Sequence, residues 1–322
     1  MMVVLMTVDT SSNSSFSRVL PGLQLAVDST SLGEFKTCPR KYYYSIVLGW
    51  QPRATSVHLV FGILLHQGRE DYEKARCTGL GHEEALRKAL RETLRRTWNA
   101  ELARPWSSGD ANKNRLTLVR TLVWLLDEHG PDDPLATIVL ANGHPAVELS
   151  FRFDSGMVAS TGEAFTLCGH LDRLVELNGE RFVNDIKSTK STISASFFHQ
   201  YAPDNQFSMY NLAGQVAFGV PVSGVVVDAC QVAVSFSRFE RGLVQRTQAQ
   251  LDEWLVDTGS WLRTMDTAAQ TGHWPQNDKA CHHYGGCQFR PVCSRPPAAR
   301  EQWLQADYVR RVWDPLILRG DV

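Results

Sequence analysis

At 322 residues the chain is long enough for one large domain or two small ones with a substantial core. Its 43% hydrophobic and 21% charged content is that of an ordinary soluble globular protein, and a formal net charge of −1 excludes a surface that is basic overall. Any contact with nucleic acid must come from a local patch.

The opening MMVVLM has no basic residues before its brief apolar run, unlike a signal peptide. No stretch of about 18 apolar residues follows, which argues against a membrane span. Residues 1–28, Ser/Asn-rich from Thr10 to Ser17, read as a mobile lead-in, and the protein reads as cytoplasmic. Seven cysteines in that compartment are expected as thiols or metal ligands rather than disulfides.

Residues 29–135 read as a helical region. A capped helix begins at Ser29, with Ser31 and Glu34 at capping-box spacing, and runs into Cys38-Pro39-Arg40-Lys41-Tyr42-Tyr43-Tyr44. Arg40, Lys41 and Tyr42 form a candidate nucleic-acid contact, basic groups for phosphates and a ring for stacking. The alternative is tyrosines in a core beside solvated basic residues. A second helix from Val57 carries His66 amid apolar residues, with Gly62 one turn earlier to admit another backbone. A third, His82 to Glu101, sets Arg87, Arg91 and Arg95 in an i, i+4 ladder. Glu83, Glu84 and Glu92 leave that ladder open between a phosphate-facing stripe and a solvated face. Arg104 to Asn114 reads as a loop and Arg115 to His129 as a helix.

From residue 136 to 272 strands enter. Ala146 to Asp154 alternates, with Val147, Leu149, Phe151 and Phe153 on one face and Glu148, Ser150 and Arg152 on the other. Glu148 is thus either a third acidic ligand or a surface residue. Between Cys168 and Lys187 two alternating runs flank Asn178-Gly179, a strong signal for a two-residue β-hairpin. Its register opposes Glu176 to Arg181, Val175 to Phe182 and Leu174 to Val183. Two further steps put Asp172 opposite Asp185, with His170 and Lys187 next on the same face. Carboxylates at such a pair, roughly 4.5–5.5 Å between Cβ atoms, repel unless a proton or a cation lies between them. Two acids and an amine on one face suit a divalent ion and a water nucleophile. A helix to about Gly219 follows, with Gln206 and Tyr210 on one face, then a strand from Val222 to Phe236 and a helix from Gln248 to Gly272. The order makes a mixed-sheet α/β unit with a helical N-terminal addition.

Residues 273–322 read as a cysteine-rich segment and a C-terminal helix. CHHYGGCQFRPVC spaces Cys281, Cys287 and Cys293 with five residues in each gap, amid glycine and proline. Three thiols are one short of a tetrathiolate, and Cys38 is the natural fourth.

In these elements the chain resembles PD-(D/E)XK nucleases of the RecB-like type, and within them the iron–sulfur branch that includes CRISPR-associated exonucleases and AddB-like helicase–nuclease subunits, with similar proteins frequent in phages. The resemblance runs from Ser29 to about Cys293. It takes in Cys38 in TCPRKYYY, Gly62 to His66 as GxxxH, Glu148 and Asp172 in GHLDR. Asp185-Ile186-Lys187 as D-x-K, Gln206 to Tyr210 as QxxxY and the late cysteines complete it. The resemblance implies a restriction-endonuclease-like α/β fold, a mixed sheet flanked by helices. It implies that His66, Asp172, Asp185 and the carbonyl of Ile186 bind Mg²⁺ or Mn²⁺, and that Lys187 orients the water or stabilises transition-state charge. Gln206 and Tyr210 would position Lys187 or the DNA strand, and Glu148 a second metal or an inner-sphere water.

It also implies a [4Fe–4S] cluster on Cys38, Cys281, Cys287 and Cys293. The wide first gap, with His282 and His283 beside Cys281, leaves zinc open. The implied activity is that of a metal-dependent deoxyribonuclease, an exonuclease on single-stranded ends in DNA repair or recombination. With no G-x-x-x-x-G-K motif in the chain, a helicase or recombination protein is an expected second partner. The alternative is a non-catalytic nucleic-acid-binding or assembly protein that keeps the fold.

Overall fold

The computed structural model describes residues 15–317, the side chains of residues 283–285 apart. The lead-in before Ser15, the last five residues of the C-terminal segment and the His283 side chain offered for zinc lie outside the described residues. The rest of the lead-in needs correcting. Ser17 N donates to Leu23 O at 2.8 Å, Leu23 is fully buried, and β1 (Ala26–Val27) pairs in parallel with Thr166–Leu167. The apolar residues Leu23, Ala26 and Val27 fix this segment by burial.

Helix α1 (Ser29–Thr37) opens on Asp28, whose carboxylate accepts from Ser31 N while Asp28 N donates to Ser31 Oγ. The capping box therefore lies earlier than the expected Ser31–Glu34 pair. Helix α2 (Pro39–Tyr42) starts on proline, where a missing N–H costs nothing, and leads through a π-turn at Tyr43–Val47 to β2 (Trp50–Pro52).

Next come α3 (Val57–Cys77) and α4 (His82–Arg96). Helix α4 stops short of Glu101 because β3 (Trp98–Asn99) and β4 (Arg104–Pro105) form a small hairpin. With α5 (Arg115–His129) these helices bury Phe61, Leu65, Ala85, Ala89, Leu118 and Leu122 along stripes of helical period. The close helix approach is at Gly68, where an added Cβ would lie 2.5 Å from Leu122 Cδ2; at Gly62, where it was expected, nothing lies within 4 Å.

The remaining elements are β5 (Ala136–Thr137), β6 (Val147–Val158), β7 (Ala164–Leu177), β8 (Glu180–Thr189), α6 (Ala195–His199), α7 (Asn205–Phe218), β9 (Val225–Val232), β10 (Ser237–Val244), α8 (Gln248–Thr271), α9 (Arg290–Cys293), α10 (Arg300–Asp307) and β11 (Tyr308–Arg310). The strand expected from Val222 to Phe236 is shorter. A turn in which Ala233 N donates to Phe236 O ends it and returns the chain as β10, antiparallel to β9.

The chain divides into two compact units. One takes the residues through Ala54, Phe151–Gly169 and those from Thr247; β2 pairs with β11 in it, over a cluster of Tyr44, Trp50, Phe289, Val292, Leu304 and Tyr308. The other takes Thr55–Ser150 and His170–Arg246. Its sheet places β8 centrally, antiparallel to β7 and parallel to β9, with β10 beyond β9. This is the mixed α/β sheet flanked by helices that a restriction-endonuclease-like fold requires. Among the described residues no helix is long and apolar enough to cross a membrane.

Candidate active site

Asn178 and Gly179 both take positive φ, 52° and 81°, which a two-residue type I′ hairpin turn needs. The ladder that follows pairs Glu176 with Arg181, Val175 with Phe182 and Leu174 with Val183, as expected, and runs on to Arg173 with Asn184. It ends one step before Asp172 and Asp185. There Asp172 Oδ2 accepts from Ile186 N at 3.3 Å, and the two carboxylates turn to different cations.

Asp172 turns to α3. Its Oδ2 lies 2.9 Å from His66 Nδ1, and His66 Nε2 lies 2.8 Å from the Ile186 carbonyl. His66 sits one residue past buried Leu65, at the edge of the helix's apolar stripe, so its ring reaches the sheet while staying half-buried. Burial alone would depress its pKa. The Asp172 carboxylate, with Asp185 behind it, outweighs that and holds it up at about 9. Asp172 is correspondingly held below the usual carboxylate range: burial pushes it up, but His66 wins.

Asp185 turns to Lys187, with Nζ 2.8 Å from its Oδ2 and 3.1 Å from its Oδ1. Burial, with Asp172 adding to it, lifts this carboxyl to about 6 despite the lysine. Lys187 Nζ also donates to Gln206 Oε1 at 2.8 Å, and Gln206 Nε2 donates to the Tyr210 hydroxyl at 2.8 Å. The i, i+4 pair on α7 thus forms a relay that fixes the amine. Burial lowers the Lys187 pKa, but Asp185 and Asp172 more than restore it, so the amine stays charged.

Glu148 is the carboxylate that joins His66 and Asp172: one ligand atom from each of the three lies within 4.8 Å of the other two. Its φ of 52° breaks the alternation expected of β6, so Val147 and Glu148 are both buried. A left-handed backbone at a non-glycine costs of order 1 kcal/mol or more and here aims an acid inward. The surface alternative for Glu148 is thereby corrected.

A model of the PD-(D/E)XK nuclease superfamily matches residues 29–294. The chain belongs to that superfamily. A search of curated proteins finds no match. Among solved structures, the chain is similar to an exonuclease candidate from Eubacterium rectale at 10% identity and a TM-score of 0.48, over 80% of this chain and 88% of that one. It is also similar to SSO0001, at 12% identity and a TM-score of 0.32, over 74% and 76%.

In this member of the superfamily the acidic strands carry a second, fully paired charge cluster that the sequence did not announce. Arg69 Nε meets Glu73 at 2.6 Å, Arg173 Nη1 meets Glu73 at 2.7 Å, and Arg241 meets Asp228 at 2.6 Å and Asp133 at 2.8 Å. Arg173 Nε further donates to Asn184 Oδ1 at 3.1 Å. The arginines outweigh burial and hold Glu73, Asp133 and Asp228 below the usual carboxylate range.

The other expected groups belong to the first unit. Tyr42 does not stack on a ligand: it is fully buried, its hydroxyl donates to Gln24 Oε1 at 2.9 Å, and Phe35 and Trp274 pack on its ring. Arg40 Nε donates to Trp274 O at 2.7 Å, and Lys41 pairs with Glu34 at 3.0 Å. Asn277 joins Cys38 to Cys281, donating its N–H to Cys38 Sγ at 3.4 Å and accepting from Cys281 Sγ at 3.7 Å. Burial, then Cys287 and Cys38, push the Cys281 thiol up; burial also raises Cys293, with Cys287 adding.

Proposed function

We propose that the chain is a metal-dependent deoxyribonuclease that hydrolyses phosphodiester bonds as an exonuclease on single-stranded DNA ends. One observation carries this reading: His66, Glu148 and Asp172 meet at a point beside a lysine fixed in direction. An imidazole among carboxylates fits Mn²⁺, and also Mg²⁺, with Asp185 and the Ile186 carbonyl as further donors. Bound there, the ion supplies Lewis acidity toward the scissile phosphate and lowers the pKa of a water.

The chain's own groups do the rest. Lys187, kept protonated by Asp185 and Asp172, offers positive charge to the phosphoryl oxygens as they gain negative charge, and is not the proton acceptor. Gln206 fixes the direction of that amine, and Tyr210 fixes Gln206. Glu148 stands with His66 and Asp172 as a donor to that ion, directly or by orienting a water.

Cys38, Cys281, Cys287 and Cys293 suit a [4Fe–4S] cluster by their chemistry. They are free thiols, and burial, with neighbouring thiols adding to it, opposes ionisation of Cys281 and Cys293, so a cationic centre is what would keep them as thiolates. Its role would be structural, tying the end of α1 to the cysteine-rich segment. Free thiols at all seven cysteines also suit a reducing cytoplasm.

The test is degradation of end-labelled against circular single-stranded DNA with Mg²⁺ or Mn²⁺. Asp185→Ala and Lys187→Ala should abolish cleavage while leaving the circular dichroism unchanged; full activity in both would remove the assignment. Visible absorbance of an anaerobic preparation reports on the cluster.

A further inference from the structure

Beyond Lys187, strand β8 ends with Ser188 and Thr189, and Lys190 just past it and Lys113 gather positive charge there. Lys113, just before α5, is only 4% exposed. Its ammonium lies 5.3 Å from the centroid of the Phe61 ring. Nζ donates to Ser188 Oγ at 3.0 Å and to Ser188 O at 3.4 Å. Those bonds use two of the three ammonium donors. Among the described residues no carboxylate oxygen lies within 4.0 Å of Lys113 Nζ.

The one acid nearby is committed elsewhere. Asp110 accepts from the backbone N–H of Asn112 at 2.8 Å and of Lys113 at 3.0 Å, and from Lys190 Nζ at 3.1 Å. His58 is exposed on the first turn of α3; burial, then Lys113 and Lys190, depress its pKa and favour the neutral ring. Lys190 thus holds Asp110 by its side chain, whereas Lys113 reaches that carboxylate only through its backbone N–H.

A buried ammonium without a counter-ion is costly. Where this unit uses buried cations for structure, at Arg69 and Arg173, each meets a carboxylate at 2.6–2.7 Å. Lys113 has none within 4.0 Å among the described residues, and its ammonium sits over Phe61, on the same helix α3 that carries His66. We propose that Lys113, flanked by Lys190, forms a phosphate subsite that holds a non-scissile phosphate of the bound DNA strand. This rests on the nuclease reading above and adds the substrate contact that sets the strand against Lys187.

The test uses the full chain in Ca²⁺ and a short single-stranded oligodeoxynucleotide, its binding followed by fluorescence anisotropy across salt concentrations. Lys113→Gln should weaken binding about tenfold at low salt and reduce the slope of log K against log salt by about 0.7, the value for one phosphate of a single strand. Lys113→Arg should keep both. A neutral methylphosphonate at one linkage, or removal of the terminal phosphate, should cost the wild type the same factor and cost Lys113→Gln nothing. Which of the two does so tells an internal phosphate from an end phosphate.

Wild-type slope, affinity and linkage profile in Lys113→Gln would overturn the subsite, whatever happens to its melting temperature. Should that variant not fold, Lys190→Gln takes its place: a smaller loss at the same linkage supports the subsite, and an unchanged profile overturns it. A wild type that neither binds nor cuts the oligonucleotide fails before any variant is made, and removes the nuclease reading together with this one.

Discussion

Strands β7 and β8 carry two charge clusters of opposite character. Arg173 and Asn184 enter a network in which three arginines meet three carboxylates, and the acids there titrate low. Asp172 and Asp185, each one residue away, enter a cluster where acids crowd together and Asp185 is lifted to about 6. Burial is equal at Arg173, Asn184 and Asp185, each at most 3% exposed, while Asp172 is half-buried. The difference is balance. Paired charge fastens the strands, whereas unbalanced charge at the same depth is tolerated only where a ligand completes it.

The sharpest way to break this comparison is to remove one charge from each cluster. Lys187→Ala should lower kcat by about 10³ or more, the range for losing a preorganised positive group. Stability should change by less than about 1 kcal/mol, because Asp185 is already near its protonation point and takes up a proton instead of remaining a buried anion. Arg173→Met should do the reverse. It leaves Glu73 with Arg69 but without its second arginine and costs about 3 kcal/mol in urea unfolding, the lower end for breaking a buried pair.

Two pH effects sharpen the contrast further. Glu73, Asp133 and Asp228 have folded-state pKa values below their unfolded ones. Their contribution is therefore complete above the ordinary carboxylate range, about pH 4, and is lost as pH falls through the lowered values. Acid titration of wild type against Arg173→Met should show a smaller loss in the variant. His66, held up at about 9, must give up a proton to accept an ion. Mn²⁺ affinity should thus rise between pH 7 and 9 with about one proton released, measurable by calorimetry in two buffers. The smallest effect is expected at Gln206→Ala, about tenfold in kcat and ~1 kcal/mol in stability, because it loosens the amine without removing it.

The hairpin and its register were legible because Asn178-Gly179 fixes the turn and each cross-strand pair is local. The QxxxY spacing was legible for the same reason. What escaped depends on distant partners or on backbone detail. Asp133, Asp228 and Arg241 come from separate segments, and no local pattern pairs them before the fold brings them together. The inward turn of Glu148 needs a left-handed φ that alternation of residue types does not encode. Strand β10, SRFERGLV, is largely exposed and hides its identity among charges. Tyr42 stayed open between a base contact and the core because a tyrosine beside basic residues looks alike whether it stacks on a base or, as here, packs edge-on against Phe35 and at a tilt against Trp274.

Calorimetric titration of the full chain with Mn²⁺ at pH 8 tests the unbalanced cluster most directly. The wild type should show a saturable site that Asp172→Ala abolishes and Arg69→Lys, a change in the paired network, retains. Equal binding by wild type and Asp172→Ala, or none by either, would contradict the account.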